Sequence, residues 1–279
     1  MENLGYYNGT FGPIGEIMIQ MNDRVHFIGD GVYDVTCSRS RVIYLIDEHI
    51  DRFFNSAGLL KIKLPYTKEK LKSILQEMVE KVDGKDHFVY WQATRGTAPR
   101  NHAFPDVQPN LWITITPTTL PDMTKRIPLT STEDTRYLHC NIKTLNLLPS
   151  VMAAEKAEEE NCQECVFHRG DIVTECAHSN VSILKDGVLK THPNDHFILP
   201  GIAKTHLIKA CKELQIPVDE TTYTVEELRE ADEIIVTSSS KFCMVANSFE
   251  GEPIGGKAPE LVDSIQEVLM KEFTDYCGE

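Results

Sequence analysis

Apolar positions recur along this chain with two periods, and the points where the period changes divide it into elements. Leu71, Ile74, Leu75, Met78, Val79 and Val82 fall on one helical stripe, and Ile50, Phe53, Phe54 and Ala57 do the same within residues 48–60. Short runs over 31–36, 42–45, 87–94 and 111–116 read as antiparallel strands, with Tyr6-Tyr7-Asn8-Gly9 as a hairpin signal ahead of them. Two helices set among antiparallel strands predict an α+β arrangement.

The second half repeats the mixture in a different order. A strand over 127–132 and a strand-like approach over 135–140 lead to Lys143, and a helix rich in Ala and Glu follows over 147–159. Strands are expected at 164–168, 172–175, 180–185 and 188–191, then a helix over 203–214 with Leu207, Ala210, Cys211 and Leu214 on one side. Thr224-Val225-Glu226-Glu227 is a capping box, 233–237 reads as a buried strand, and 259–276 closes the chain as an amphipathic helix. Thr116-Pro117-Thr118-Thr119-Leu120-Pro121 has linker composition. The expected division is a small N-terminal domain over 1–116, a linker over 117–121 and a larger domain over 122–279.

Composition narrows the class. At 279 residues, 41% hydrophobic and 25% charged, the chain reads as a soluble globular protein, and no apolar run reaches the ~20 residues of a membrane span. The start Met1-Glu2-Asn3-Leu4-Gly5 has no signal-peptide pattern, which favours the cytoplasm. A net charge of −14 without a basic patch argues against nucleic acid as a partner, so individual arginines become the candidates for holding anionic small molecules. Eight scattered cysteines read as reduced thiols. Cys162-Gln163-Glu164-Cys165 has no second pair at zinc-site distance, so no metal site is expected.

Several stretches could carry chemistry. Lys143, in Cys140-Asn141-Ile142-Lys143-Thr144-Leu145, is either a surface lysine beside a helix start or one withdrawn from water; burial lowers a lysine's pKa, as a Schiff-base amine requires. In Leu199-Pro200-Gly201-Ile202-Ala203-Lys204 a glycine turn empties into a helix, leaving the N–H groups of Ile202 and Ala203 open to an anion. Thr237-Ser238-Ser239-Ser240 offers hydroxyl donors past a strand. Glu175 at a strand end is either solvated or the partner of a cofactor nitrogen, and Arg52 either snorkels or clamps a phosphate. The loop Thr94-Arg95-Gly96-Thr97-Ala98-Pro99-Arg100-Asn101-His102 sets a guanidinium and an imidazole two residues apart, a combination that suits a carboxylate.

Gly29-Asp30-Gly31-Val32-Tyr33-Asp34, Glu48-His49-Ile50-Asp51-Arg52, Ile142-Lys143-Thr144-Leu145-Asn146, Val173-Thr174-Glu175 and Ser179-Asn180 together resemble the fold-type IV pyridoxal-phosphate enzymes, over about residues 6–275. Within that group the loop bearing Arg100 and His102 is similar to that of D-amino-acid aminotransferases, and Gln92 and Phe104-Pro105 fit the same pattern. The resemblance implies a small α/β domain and a larger one with a barrel-like core, with pyridoxal 5′-phosphate at the domain interface. Lys143 would hold the cofactor covalently and shuttle the proton. Glu175 would pair with the pyridinium nitrogen, Arg52, the Ile202 and Ala203 amides and Ser239 would hold the phosphate, and Leu199 would pack on the ring. Tyr33, Arg100 and His102 would receive the substrate carboxylate.

The implied reaction moves an amino group between D-amino acids and 2-oxo acids, D-alanine and 2-oxoglutarate first among them, in a homodimer. An aminodeoxychorismate-lyase-like reaction, or that of another class IV aminotransferase, is the alternative on this fold. Three stretches depart from the pattern: Ala203-Lys204 in place of Thr-Arg, Cys176-Ala177-His178 where small Gly and Ser residues are usual, and 22–28, which lacks the usual glycine before its aromatic.

Overall fold

The chain opens with the hairpin that its turn residues demand. Strands β1 (Leu4–Tyr7) and β2 (Thr10–Gly12) pair across Asn8 and Gly9, whose φ values of 46° and 100° are those of a tight hairpin turn. In this computed structural model, which describes residues 1–278, the chain divides into two units. The first comprises Met1–Leu120, the short stretch Ile142–Asn146 and the residues from Phe273 onward.

Its remaining strands and α-helices are α1 (Arg24–Ile28), β3 (Gly31–Arg39), β4 (Val42–Ile43), α2 (Ile46–Leu59), α3 (Lys68–Lys81), β5 (Asp86–Thr94) and β6 (Asn110–Pro117). The six strands form one antiparallel sheet in the order β2-β1-β6-β5-β3-β4. The apolar stripes of α2 and α3 build its core, where Ile50, Phe53, Leu71, Leu75 and Met78 cluster with Trp91, Ile113 and Ile115. Thr67 caps α3 by accepting from the Lys70 N–H. Sequence pattern did not announce α1. It is a single turn whose boundaries are Asp23, which accepts from the Val25 N–H, and Gly29 in the left-handed region.

The second unit holds Pro121–Asn141 and Leu147–Glu272. Its strands are β7 (Arg126–Glu133), β8 (Glu164–Arg169), β9 (Ile172–Cys176), β10 (Asn180–Lys185), β11 (Val188–Thr191), β12 (Val218–Asp219), β13 (Glu233–Ser238), β14 (Phe242–Phe249) and β15 (Glu252–Pro253). They form one curled half-barrel sheet, ordered β12-β11-β10-β13-β14-β7-β8-β9 with β15 on β14. Helices α4 (Leu148–Glu159), α5 (Ile202–Glu213), α6 (Val225–Arg229) and α7 (Pro259–Cys277) accompany it. Ile127, Leu129, Val166, Val181, Ile183, Ile234, Val236 and Phe249 make the core. The capping box at Thr224 and Glu227 is formed as its spacing predicts.

One expectation needs correction, and one long strand went unread. Residues 135–140 form no strand: most are exposed, and Arg136 is fixed by side-chain bonds to Asp134 instead of by a ladder. Strand β14 escaped notice because Phe242–Ala246 is buried without interruption, so it shows no alternation to read.

Candidate active site

Lys143 is held by backbone bonds to the start of β3. Tyr33 N–H donates to the Lys143 carbonyl at 3.0 Å, Leu145 N–H donates to the Gly31 carbonyl at 3.1 Å, and Val32 bridges Thr144. Gly31 permits this approach, since a Cβ there would lie 2.7 Å from Leu145 Cδ1 and from the Ala93 carbonyl. The Lys143 N–H reaches Ser56 Oγ on α2 at 3.3 Å. The side chain is half-buried, and its Nζ lies 4.3 Å from the centre of the Tyr33 ring, which itself stacks on Tyr90. Sequence reasoning expected Lys143 and Tyr33 to serve one site, and the fold brings them together.

Beside them lies a charged cluster that sequence reasoning missed. Asp34, fully buried, accepts from Arg52 Nε and NH2 at 2.9 and 2.7 Å and from His49 Nδ1 at 2.8 Å. Burial works against the Asp34 carboxylate, but the Arg52 charge and the His49 bond outweigh it and hold the carboxyl well below its usual range. His49 is pushed down by burial, with Asp34 opposing and Arg52 and Lys143 adding to the fall. Arg52 is therefore no snorkelling surface residue. Two of its nitrogens are engaged with Asp34, and NH1 has no partner among the described residues.

Arg100 and His102 sit on an exposed stretch between β5 and β6, and neither side chain has a hydrogen-bond or ion-pair partner among the described residues. The loop presents two free donors. The backbone between them is tied to the buried Arg24.

In the second unit Glu175 lies near the end of β9, 4% exposed. One carboxylate oxygen accepts from Arg136 NH1 at 2.5 Å, and the other accepts from Asn180 Nδ2 at 3.0 Å and the Leu199 N–H at 3.1 Å. Burial pushes the Glu175 carboxyl up, to about 7, while Arg136 and the Leu199 N–H pull the other way. Arg136 is itself held by Asp134 and lies over the Phe167 ring at 4.5 Å. Asn180 also donates to the Leu199 carbonyl at 3.0 Å and fills the space where Gly201 would carry a Cβ, 1.9 Å from its Oδ1. One amide side chain thus links Glu175, Leu199 and the glycine before Ile202 and Ala203.

Gly201 offers no side-chain cap to α5, so the first-turn N–H groups of Ile202 and Ala203 face outward from the helix start. Across the sheet Asn180 pairs with Thr237, a buried residue whose Oγ1 has no partner among the described residues. The turn carrying Ser239 follows at once. An uncapped helix start, an orphaned hydroxyl and a serine-rich turn in register with one asparagine suit a phosphate. No group of His, Cys, Asp or Glu among the described residues is arranged to hold a metal ion.

The departures from the family pattern have structural counterparts. Lys204 is 1% exposed, and its Nζ donates to the His192 carbonyl at 2.5 Å and to Asn194 Oδ1 at 3.0 Å. Burial lowers its pKa to about 8 against the pull of Glu220, Glu175 and Asp195. His178 is largely exposed and reaches back to the buried Glu164 at 3.2 Å, which also takes Ser179 Oγ at 2.7 Å and Lys241 Nζ at 3.4 Å. All eight cysteines are free thiols.

These features accord with a known class. The chain belongs to the class IV aminotransferases, whose family pattern it matches over residues 31–249. It is 37% identical to the D-alanine aminotransferase of Listeria monocytogenes over 268 residues, 94% of this chain and 93% of that one. Its fold matches that of the branched-chain amino acid aminotransferase of Escherichia coli with a TM-score of 0.90, at 21% identity, over 99% of this chain and 96% of that one. A branched-chain amino acid aminotransferase from T.th., solved with pyridoxamine 5′-phosphate, gives 0.90 at 20% identity, over 98% and 97% of the two chains.

Proposed function

We propose that this aminotransferase exchanges the amino group between D-alanine and 2-oxoglutarate with pyridoxal 5′-phosphate as cofactor. The observation that carries this reading is near-full-length similarity to an enzyme named for D-alanine, in a chain that keeps Lys143, Glu175 and the Arg100–His102 loop. When bound, the cofactor supplies an aldehyde to capture the amine and an electron-poor ring to take up electrons released at Cα. Lys143 is the amine that would hold that aldehyde and carry the proton. Glu175 would face the ring nitrogen, poised near neutrality by burial and steadied by Arg136. The Ile202 and Ala203 amides, Ser239 and Arg52 would grip the phosphate, with Leu199 against the ring. Tyr33, Arg100 and His102 would take the substrate carboxylate, and a carboxylate trapped on that side presents the D-enantiomer's hydrogen to the lysine.

The reading extends to a homodimer in the cytoplasm. An exposed apolar stripe on α4 supports the first, and eight unpaired cysteines support a reducing compartment. The test is spectroscopic. Protein loaded with pyridoxal phosphate should lose its aldehyde-form absorbance on mixing with D-alanine, keep it with L-alanine, and lose the response in Lys143→Ala. A faster response to L-alanine, or pyruvate release that continues beyond one equivalent per bound cofactor with no 2-oxo acid present, would overturn the assignment.

A further inference from the structure

Arg24 is among the largest fully buried side chains in the molecule, 1% exposed, yet none of the site assignments uses it. It opens α1, where its Nε and NH2 each approach Asp30 Oδ2 at 2.8 Å. Its remaining nitrogen, NH1, donates to the backbone carbonyl of Asn101 at 2.5 Å. Asn101 lies between Arg100 and His102. A charge-assisted hydrogen bond from a buried guanidinium therefore ends on the one carbonyl flanked by both proposed carboxylate donors.

The rest of the loop is fixed from the same base. Asp30 also accepts from Arg95 Nε at 2.8 Å, and Arg95 donates onward to the Leu60 and Lys61 carbonyls at 2.9 and 3.3 Å. The Phe104 ring lies 3.6 Å from the Arg95 guanidinium, which closes the far side of the loop. At its near end Asp23 accepts from Thr94 Oγ1 at 2.7 Å and Asn110 Nδ2 at 2.8 Å, while Arg24 N–H donates to the Gly96 carbonyl at 3.1 Å. Arginine suits position 24 because its planar fork reaches Asp30 and Asn101 from separate nitrogens, whereas an ammonium carries all its donors on one nitrogen.

We propose that Arg24 is a positioning residue for recognition of the substrate carboxylate, holding the backbone between Arg100 and His102 without touching substrate. This rests on the assignment of Arg100 and His102 made above. The holoenzyme carrying Arg24→Lys should show a KM for D-alanine raised about tenfold, the effect expected for one charge-assisted hydrogen bond, with kcat and the bound cofactor's spectrum unchanged. Amide exchange over residues 98–104 should quicken in the same variant. Phe104→Ala, at a side chain 61% exposed whose loss cannot threaten the core, should give the same pattern with about a threefold rise in KM. It decides the matter if Arg24→Lys does not fold.

Wild-type KM and exchange in both variants would overturn the proposal. So would a KM rise accompanied by loss of cofactor, the sign of a general structural role. Arg100→Ala separates the two levels of argument. An unchanged KM there removes the carboxylate assignment itself, whereas a raised KM there with none in Arg24→Lys removes only the role of Arg24.

Discussion

Glu175 sits between opposing demands, buried beside Arg136 but raised from 4.5 to about 7 by desolvation. Between those two values the folded protein keeps a proton that the unfolded chain has released, so the residue's contribution to stability falls as pH rises through that window. Glu175→Gln keeps the shape and removes the titration. With cofactor stripped, the variant is expected to melt above wild type at pH 8, with the gap closing toward pH 5 in paired calorimetric scans. A gap that does not change with pH would show that the carboxyl ionises at its ordinary value. Asp34 is the contrasting case: equally buried, it is held low by Arg52 and His49, so its contribution is present at neutrality and is lost only in strong acid. Two buried carboxylates acquire opposite proton affinities from the number and charge of the groups bonded to them.

At the scale of elements, Glu164 opens β8 and ties together two turns that the sheet leaves free. It receives His178 and Ser179 from the β9–β10 turn and Lys241 from the β13–β14 turn that also bears Ser239. Glu164→Ala would leave Lys241, 19% exposed, with only the Gln163 carbonyl, and loss of a charge-assisted hydrogen bond costs about 2 kcal/mol. Urea unfolding should show that loss, and pyridoxal phosphate should be retained less tightly in equilibrium dialysis. Unchanged cofactor affinity would mean that the serine turn holds its shape unaided. Networks of this kind were illegible in the sequence. Helical stripes revealed α2 and α3 because one face of each meets water, and short runs near turn residues revealed β3 and β5, whereas β14 hid inside a continuous apolar run. The likeness of short motifs led to Lys143 and Glu175. Arg136, Asp34, Asn180 and Arg24 gain their importance only from partners that folding brings near, and 39 residues separate Arg136 from Glu175 in the chain.

Across the whole molecule, a charge of −14 is spread over a surface that also exposes an apolar stripe on one helix. Leu148, Val151 and Met152 occupy one stripe of α4, exposed by 73%, 58% and 65%, with Leu147 just before it, while Ala153 and Ala157 on another face are buried. Single exposed leucines need no explanation, but four apolar residues in one register on a surface this acidic favour coverage by another apolar surface over solvent. A second copy of the chain supplies such a surface by symmetry, because an isologous contact pairs a patch with itself. Light scattering should therefore give a mass twice the 31.6 kDa of one chain. The double variant Leu148→Asp, Met152→Asp places like charges opposite one another across the proposed twofold axis and should give the single-chain mass with its melting behaviour otherwise intact. Were the variant to remain a dimer, α4 would lie outside the contact. Were the wild type to run as one chain at micromolar concentration, the stripe would need another occupant.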